Sequence, residues 1–138
     1  MPHYDYHRPA VAADAVVFNL DHSKILLIQR KNDPYKGQWA LPGGFLDENE
    51  DPATAVAREL TEETGLKNLA FSPLGFWGAP GRDPRGHIIS LVFTTDLDPT
   101  TQTPAANDDA ADLAWFPVAA LPAIAFDHAD IIQTALAL

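Results

Sequence analysis

The chain has 138 residues, 46% of them hydrophobic, no Cys, and a formal net charge of −10 from 19 acidic and nine basic side chains. That length supports one domain with a real core, residues 1–138. The missing Cys excludes disulfide and thiolate chemistry, and the charge opposes nucleic acid, which binds through cations placed on phosphate.

No apolar run reaches 18 residues and the N-terminus, MPHYDYHRPA, has no signal-peptide pattern, so the expectation is no membrane span and a cytoplasmic protein. Apolar, β-branched VAADAVVFNL (11–20) predicts a strand, DHSK (21–24) a tight turn, and KILLIQR (24–30) the returning strand of a hairpin. KNDPYKGQ (31–38) is a polar loop. WALP (39–42) is extended, and Gly43 and Gly44 are expected to turn the chain. A helix follows, with Asp51 as cap, Pro52 in its first position and Gly65 just past its end. Its periodicity puts Ala53, Val56, Ala57, Leu60 and Thr64 on the buried stripe. Residues 69–77, 87–97 and 112–117 read as strands, 78–87 and 98–110 as loops. The tail from Asp127 reads as a capped helix that turns Ile131, Ile132, Ala135 and Leu136 inward. Strands mixed with two helices in this order give an α/β (α+β) sandwich.

All five glutamates of the chain, Glu48, Glu50, Glu59, Glu62 and Glu63, lie within GGFLDENEDPATAVARELTEETGL (43–66). On the helix Glu59 and Glu63 stack four apart, with Glu62 on the outer flank. Like charges at those spacings destabilise a helix and raise one another's pKa. Glu62 and Glu63 also occupy the last turn, where the helix dipole opposes them. A solvated acidic face is the plain alternative. The unfavourable placement points instead to a neutralising partner, and clustered oxygen ligands suit a hard cation such as Mg²⁺ or Mn²⁺.

The spacing Gly44, five residues, Glu50, seven residues, Arg58-Glu59-Leu60, one residue, Glu62-Glu63, one residue, Gly65-Leu66 resembles the Nudix box, GX5EX7REUXEEXGU, at all nine constrained positions. Arg30, Gly37-x-Trp39 and Leu41-Pro42-Gly43-Gly44 extend the similarity, which covers nearly the whole chain. The resemblance implies a Nudix-type α/β/α sandwich with a mixed β-sheet. It implies an Mg²⁺ platform, with Mn²⁺ the other metal, for cleaving nucleoside diphosphates linked to a further group. Glu59 and Glu63 would be principal ligands, Glu62 would assist, and the Gly43 carbonyl would add an oxygen. Gly44, Glu50 and Arg58 resemble the elements that orient the box.

The family often adds an acid from a distal loop. No Glu follows Glu63, so Asp108, Asp109 and Asp112 are the candidates, with Asp109 preferred. PGRDPRGHIISLVF (80–93), DPYKGQWALPGG and WFPVAALPAIAFDHADII are similar to bacterial ADP-ribose pyrophosphatase-like MutT/Nudix proteins. On that resemblance Arg82 and Arg85 would clamp a diphosphate or terminal ribose, and Arg30 would touch phosphate. Pairing of such an Arg with nearby Asp83 is the alternative. Trp39, Phe76 and Trp77 are candidates for stacking on adenine, or for the core. The five His show no metal-ligand spacing and read as ordinary, with His87 nearest the Arg loop. ADP-ribose hydrolysis to AMP and ribose 5-phosphate is the leading expectation. The alternatives are MutT-type hydrolysis of an oxidised nucleoside triphosphate and a non-catalytic ADP-ribose sensor, which the complete box and the lack of a winged-helix extension oppose. Related enzymes are often dimers, so a homodimer joined through the YDYHRP segment is expected by analogy.

Overall fold

The strand patterns condense onto one mixed sheet whose two faces are set by alternation along its central strand. The computed structural model describes residues 4–107 and 110–138. The elements are β1 (Ala10–Phe18), β2 (Lys24–Arg30), β3 (Trp39–Ala40), β4 (Gly43–Phe45), α1 (Pro52–Thr64), β5 (Ser72–Trp77), β6 (Ile88–Asp96), β7 (Ala110–Pro117) and α2 (His128–Leu136). The main path of the sheet runs β3-β2-β1-β6-β5, with β4 added on β1 and β7 on β2.

Along β1, Ala13, Ala15 and Val17 face one side and join Leu26, Ala55, Val56, Leu60, Leu66, Phe93 and Leu97 in one core. Val16 and Phe18 face the other side and join Ile25, Leu27, Leu41, Val92, Ile131, Ile132 and Ala135 in a second. Period-2 alternation therefore gives the sheet two apolar faces, and each helix covers one. This is the α/β/α sandwich with a mixed sheet.

The expected hairpin of β1 and β2 forms, but it pairs only where Phe18 meets Ile25. Further along, β1 takes β4 at residues 12–14, while β2 takes β3 at Ile28 and Gln29 and β7 along its length. On its other edge β1 runs parallel to β6 over nine residue pairs. The two strands of the hairpin thus splay, and a cleft opens at their spread ends.

Three sequence expectations need correction. Gly43 and Gly44 do not turn the chain; they are strand residues of β4, laid against Asp14 and Ala13 of β1. A side chain on Gly43 would run into Asp14 and the Ala13 carbonyl, so the absence of Cβ permits this close approach. On α1 the buried residues are Ala55, Val56, Leu60, Glu63 and Thr64, whereas Ala53 and Ala57 are exposed. The stripe is rotated because Glu63 is drawn inward to a backbone donor in β4. The strand expected from 69 begins at Ser72, since Leu69 and Phe71 pack against the first core from the connecting segment. The caps match: Asp51 accepts from the Ala53 N–H at 2.8 Å, and Gly65 adopts φ +78°. Among the described residues no helix is long and apolar enough to cross a membrane.

Candidate functional site

A cleft of about 560 Å³ is lined on one side by Glu59, Glu62 and Glu63 of α1 with Gly43, Gly44 and Phe45 of β4. The same cleft is lined by Arg30 at the end of β2, Arg82, Asp83 and Arg85 of the 78–87 loop, and Phe126 and His128 around the start of α2. Asp14 of β1 and Ser90 of β6 also line it.

On the acidic side one guanidinium organises the helix. The Arg58 Nε lies 2.7 Å from Glu50 and 3.4 Å from Asp47, and its Nη1 lies 3.0 Å from Glu59 and 3.1 Å from Glu62. Its Nη2 donates to Glu50 and to the Phe45 carbonyl. The sequence left Arg58 with Glu50 alone; the i,i+4 relation to Glu62 was the available signal for the wider set. Arg58 holds the Glu50 carboxyl down to about 2. Burial pushes Glu59 above the ordinary carboxylate range, against the pull of Arg58. The buried Glu63 accepts from the Gly43 N–H at 2.7 Å.

Four carboxylates share one guanidinium, and desolvation resists ionisation of Glu59. A hard divalent cation would relieve both, so the donor set fits one. Among the described residues no three acidic or His side chains converge as a ready-made cage. Glu59 and Glu62 lean on Arg58, and Glu63 leans on β4. Gly44 matters sterically here: a Cβ on it would lie 2.6 Å from the Glu59 carboxylate oxygens.

On the basic side the three arginines differ. The Arg82 side chain is 5% exposed, and its Nε and Nη2 grip both oxygens of Asp127 at 2.9 and 2.6 Å. Its Nη1 reaches Ser90 Oγ at 3.0 Å. Burial works against ionisation of Asp127, yet the Arg82 fork outweighs it and keeps the carboxyl below the ordinary range. Both Asp127 oxygens are thereby engaged, and Asp127 makes no side-chain cap bond to α2. The pairing with Asp83 weighed for these arginines belongs to Arg85, at 2.8 Å. Arg85 also sits over the rings of Phe45 and Phe126, 5.3 and 5.5 Å from their centres. The Arg30 guanidinium lies 4.9 Å from the Phe126 ring centre on β2's side, and its Nε donates to the Pro34 carbonyl.

Asp14, buried at the base, is pushed up to about 6 by desolvation, against a bond to Ser90 and the charge of Arg82.

The aromatic candidates lie elsewhere. Trp39 packs edge-on against Phe116 in the second core. Trp77 also packs against that core, and Phe76 is exposed on β5. None of the three lines the cleft. Asp112 is exposed on β7, accepting from the Leu113 N–H. Asp108 and Asp109 lie outside the described residues; Asn107 just before them donates its N–H to the Glu63 carbonyl at 2.9 Å. His87 bonds to His7 and to the Gly78 carbonyl, off the cleft. Sequence reasoning passed over Phe126, which holds φ +54° and projects between two arginines, and over His128, which is buried and lines the cleft.

A sheet sandwiched by two helices, with an acid-rich helix and several arginines lining one cleft, is the architecture of phosphoanhydride hydrolases of the Nudix type. A NUDIX domain model matches residues 8–135, and the chain belongs to the NUDIX family as a Nudix pyrophosphatase. It is 48% identical over 128 residues to an ADP-ribose pyrophosphatase of Methanocaldococcus jannaschii, covering 93% of this chain and 73% of that one. It is 33% identical to the ADPR responsive transcriptional repressor NtrR of Acinetobacter baylyi, covering 96% of this chain but 55% of the repressor. Among solved structures, the NUDIX domain of Shewanella oneidensis NrtR complexed with ADP ribose superposes with a TM-score of 0.84 at 33% identity, over 97% of this chain and 92% of that one.

Proposed function

We propose that the chain acts as one Nudix domain that hydrolyses ADP-ribose to AMP and ribose 5-phosphate. The observation that carries this is that one cleft of about 560 Å³ is lined both by the Glu59–Glu62–Glu63 face and by the arginines at 30 and 85. That volume lies in the range that takes a drug-sized ligand. The similarity to the ADP-ribose pyrophosphatase of Methanocaldococcus jannaschii and to a domain solved with ADP ribose supports the choice of substrate.

Water attacks one phosphorus and the bridging P–O bond breaks, so each product leaves with one phosphate. Glu59, Glu63 and Glu62, with the Gly43 carbonyl, would hold a divalent cation, Mg²⁺ or Mn²⁺. A cation bound there supplies charge neutralisation on the diphosphate and acidifies water. Arg58 and Glu50 orient the helix, with Gly44 giving Glu59 room. Arg30 and Arg85 meet the diphosphate. Arg82 holds the loop to Asp127. Asp109 is the proposed additional acid, and the tie of Asn107 to the Glu63 carbonyl supports it by anchoring the adjoining chain to the end of α1.

The test is product analysis after incubation with ADP-ribose and Mg²⁺, Mn²⁺ or chelator. Metal-dependent release of AMP and ribose 5-phosphate is expected. Absence of turnover, with hydrolysis of oxidised nucleoside triphosphates in its place, would overturn the substrate. The likeness to an ADPR responsive repressor favours a second reading, an ADP-ribose sensor; binding without turnover would establish it.

A further inference from the structure

A cleft-lining histidine is left over once the metal platform and the arginines have been assigned. His128 begins α2 and is 6% exposed. Its Nδ1 accepts the Leu41 N–H at 3.1 Å, which places the ring proton on Nε2. A core histidine normally pairs both nitrogens. Here Nδ1 has the only side-chain hydrogen bond of this ring among the described residues, yet no buried side-chain nitrogen or oxygen among them lacks a partner. Nε2 therefore keeps contact with solvent, and the open space His128 borders is the cleft.

The surroundings give the chemistry of what would meet it. Leu41 follows Ala40, which pairs with Ile28 of β2, and the Phe126 ring lies 5.3 Å from the imidazole. Ile28, Ala40, Leu41 and Phe126 all line the cleft, so this corner has an apolar wall carrying a neutral N–H donor, and the Arg30 and Arg85 guanidiniums lie 4.9 and 5.5 Å from the centre of the Phe126 ring. Burial drives His128 down to about 4, so the ring stays neutral at physiological pH. A neutral donor on an apolar wall suits an uncharged acceptor on a flat ring, and the arginines beside Phe126 are left to meet the phosphates. Two residues beyond Leu41, the Gly43 N–H bonds to Glu63. The corner and the carboxylates are thus separated by one two-residue step of extended chain, about 7 Å.

We infer that this corner is the nucleoside subsite, and that His128 donates its Nε2–H to a ring nitrogen or sugar oxygen of the nucleoside half of the substrate. This rests on the ADP-ribose reading for the choice of nucleotide, and it makes His128 a binding residue.

The side chain allows a clean pair of variants. In His128→Asn the amide oxygen can take the place of Nδ1 for Leu41, while the Nε2 donor is lost. In His128→Gln the amide nitrogen can take the place of Nε2, while the Leu41 partner is lost. With ADP-ribose and Mg²⁺, His128→Asn is expected to raise KM about 5- to 10-fold with kcat held, the signature of lost uniform binding. His128→Gln is expected to keep KM near the wild-type value and lower Tm. The reverse pattern would make the histidine structural and overturn the inference. The second measurement is ¹⁵N NMR of the wild-type side chains, using AMP or ribose 5-phosphate with Mg²⁺ and ADP-ribose with chelator. AMP and ADP-ribose should shift the His128 Nε2 signal, and ribose 5-phosphate should not. Shifts at Arg30 and Arg85 without a shift at His128 would overturn the subsite and leave the proposed substrate standing. No response to ADP-ribose and no turnover would overturn the substrate alone, and the AMP titration would then decide the subsite. A shift with ribose 5-phosphate only would overturn the nucleoside assignment.

Discussion

Single residues divide by how far their partners lie along the chain. The box residues were legible because Gly44, Glu50, Arg58, Glu59, Glu62 and Glu63 lie within 20 positions and their spacing on a helix is a local property. His128 was not, because its meaning comes from Leu41, 87 positions away. Phe126 likewise acquires its place from Arg30 and Arg85. A glycine makes the local case testable. The atoms nearest a Cβ on Gly44 are those of the Glu59 carboxylate at 2.6 Å, the movable end of a side chain. Gly44→Ala should fold with little change in Tm while displacing that carboxylate. Since misplacement by about 1 Å can cost about 100-fold, kcat should fall by about 10- to 100-fold. Steady-state kinetics beside a thermal melt would check this, and unchanged kcat would remove Glu59 from the reacting centre.

At the scale of elements, the ends of α1 were readable and its face was not. Caps are short-range chemistry: Asp51, Pro52 and Gly65 each act within a few residues. Gly65 at φ +78° should be intolerant, and Gly65→Ala should cost about 1 kcal/mol in urea unfolding. The buried stripe depended on Glu63 turning toward β4, a tertiary bond that periodicity does not contain. The loop at 78–87 was recognised as a loop, but its anchor to α2 through Arg82 and Asp127 spans 45 positions. That anchor is part-buried, so breaking it should carry a moderate cost. Arg82→Met leaves the half-buried Asp127 carboxylate without its counter-charge and should destabilise by about 1.5–3 kcal/mol. Removing both charges, as Arg82→Met with Asp127→Asn, should recover part of that loss. Denaturant curves of the single and double variants measure it, and equal losses in both would show that the pair's charge is immaterial.

Across the whole molecule, hairpin and helices were legible, while the parallel pairing of β1 with β6 was not, because it joins segments 78 positions apart. That pairing buries Asp14 beside Ser90 at the base of the cleft, and the packing of α2 buries His128 at its side. Their opposite shifts have a consequence for global stability. Asp14 takes up a proton near pH 6 when folded but near 3.8 when unfolded. Between those values the folded state holds the extra proton, so this stabilisation is present at low pH and is lost as pH rises through 6. His128 takes up a proton near 4 when folded but near 6.5 when unfolded. Between those values the unfolded state holds the extra proton, so stability is lost as pH falls from 6.5 toward 4. Each slope is about 1.4 kcal/mol per pH unit with opposite sign, so from pH 4 to 6 the two offset. Single variants should separate them in urea unfolding with chelator present. The stability of wild type relative to Asp14→Asn should fall by about 2 kcal/mol from pH 4 to 6, and that of wild type relative to His128→Asn should rise by about 2.5 kcal/mol from pH 4 to 6.5. A flat difference for Asp14→Asn would mean that water or Arg82 keeps the carboxylate ionised in the fold. A flat difference for His128→Asn would mean that the imidazole accepts its proton without leaving the native packing, which would open the cleft corner to a charged ring at acid pH.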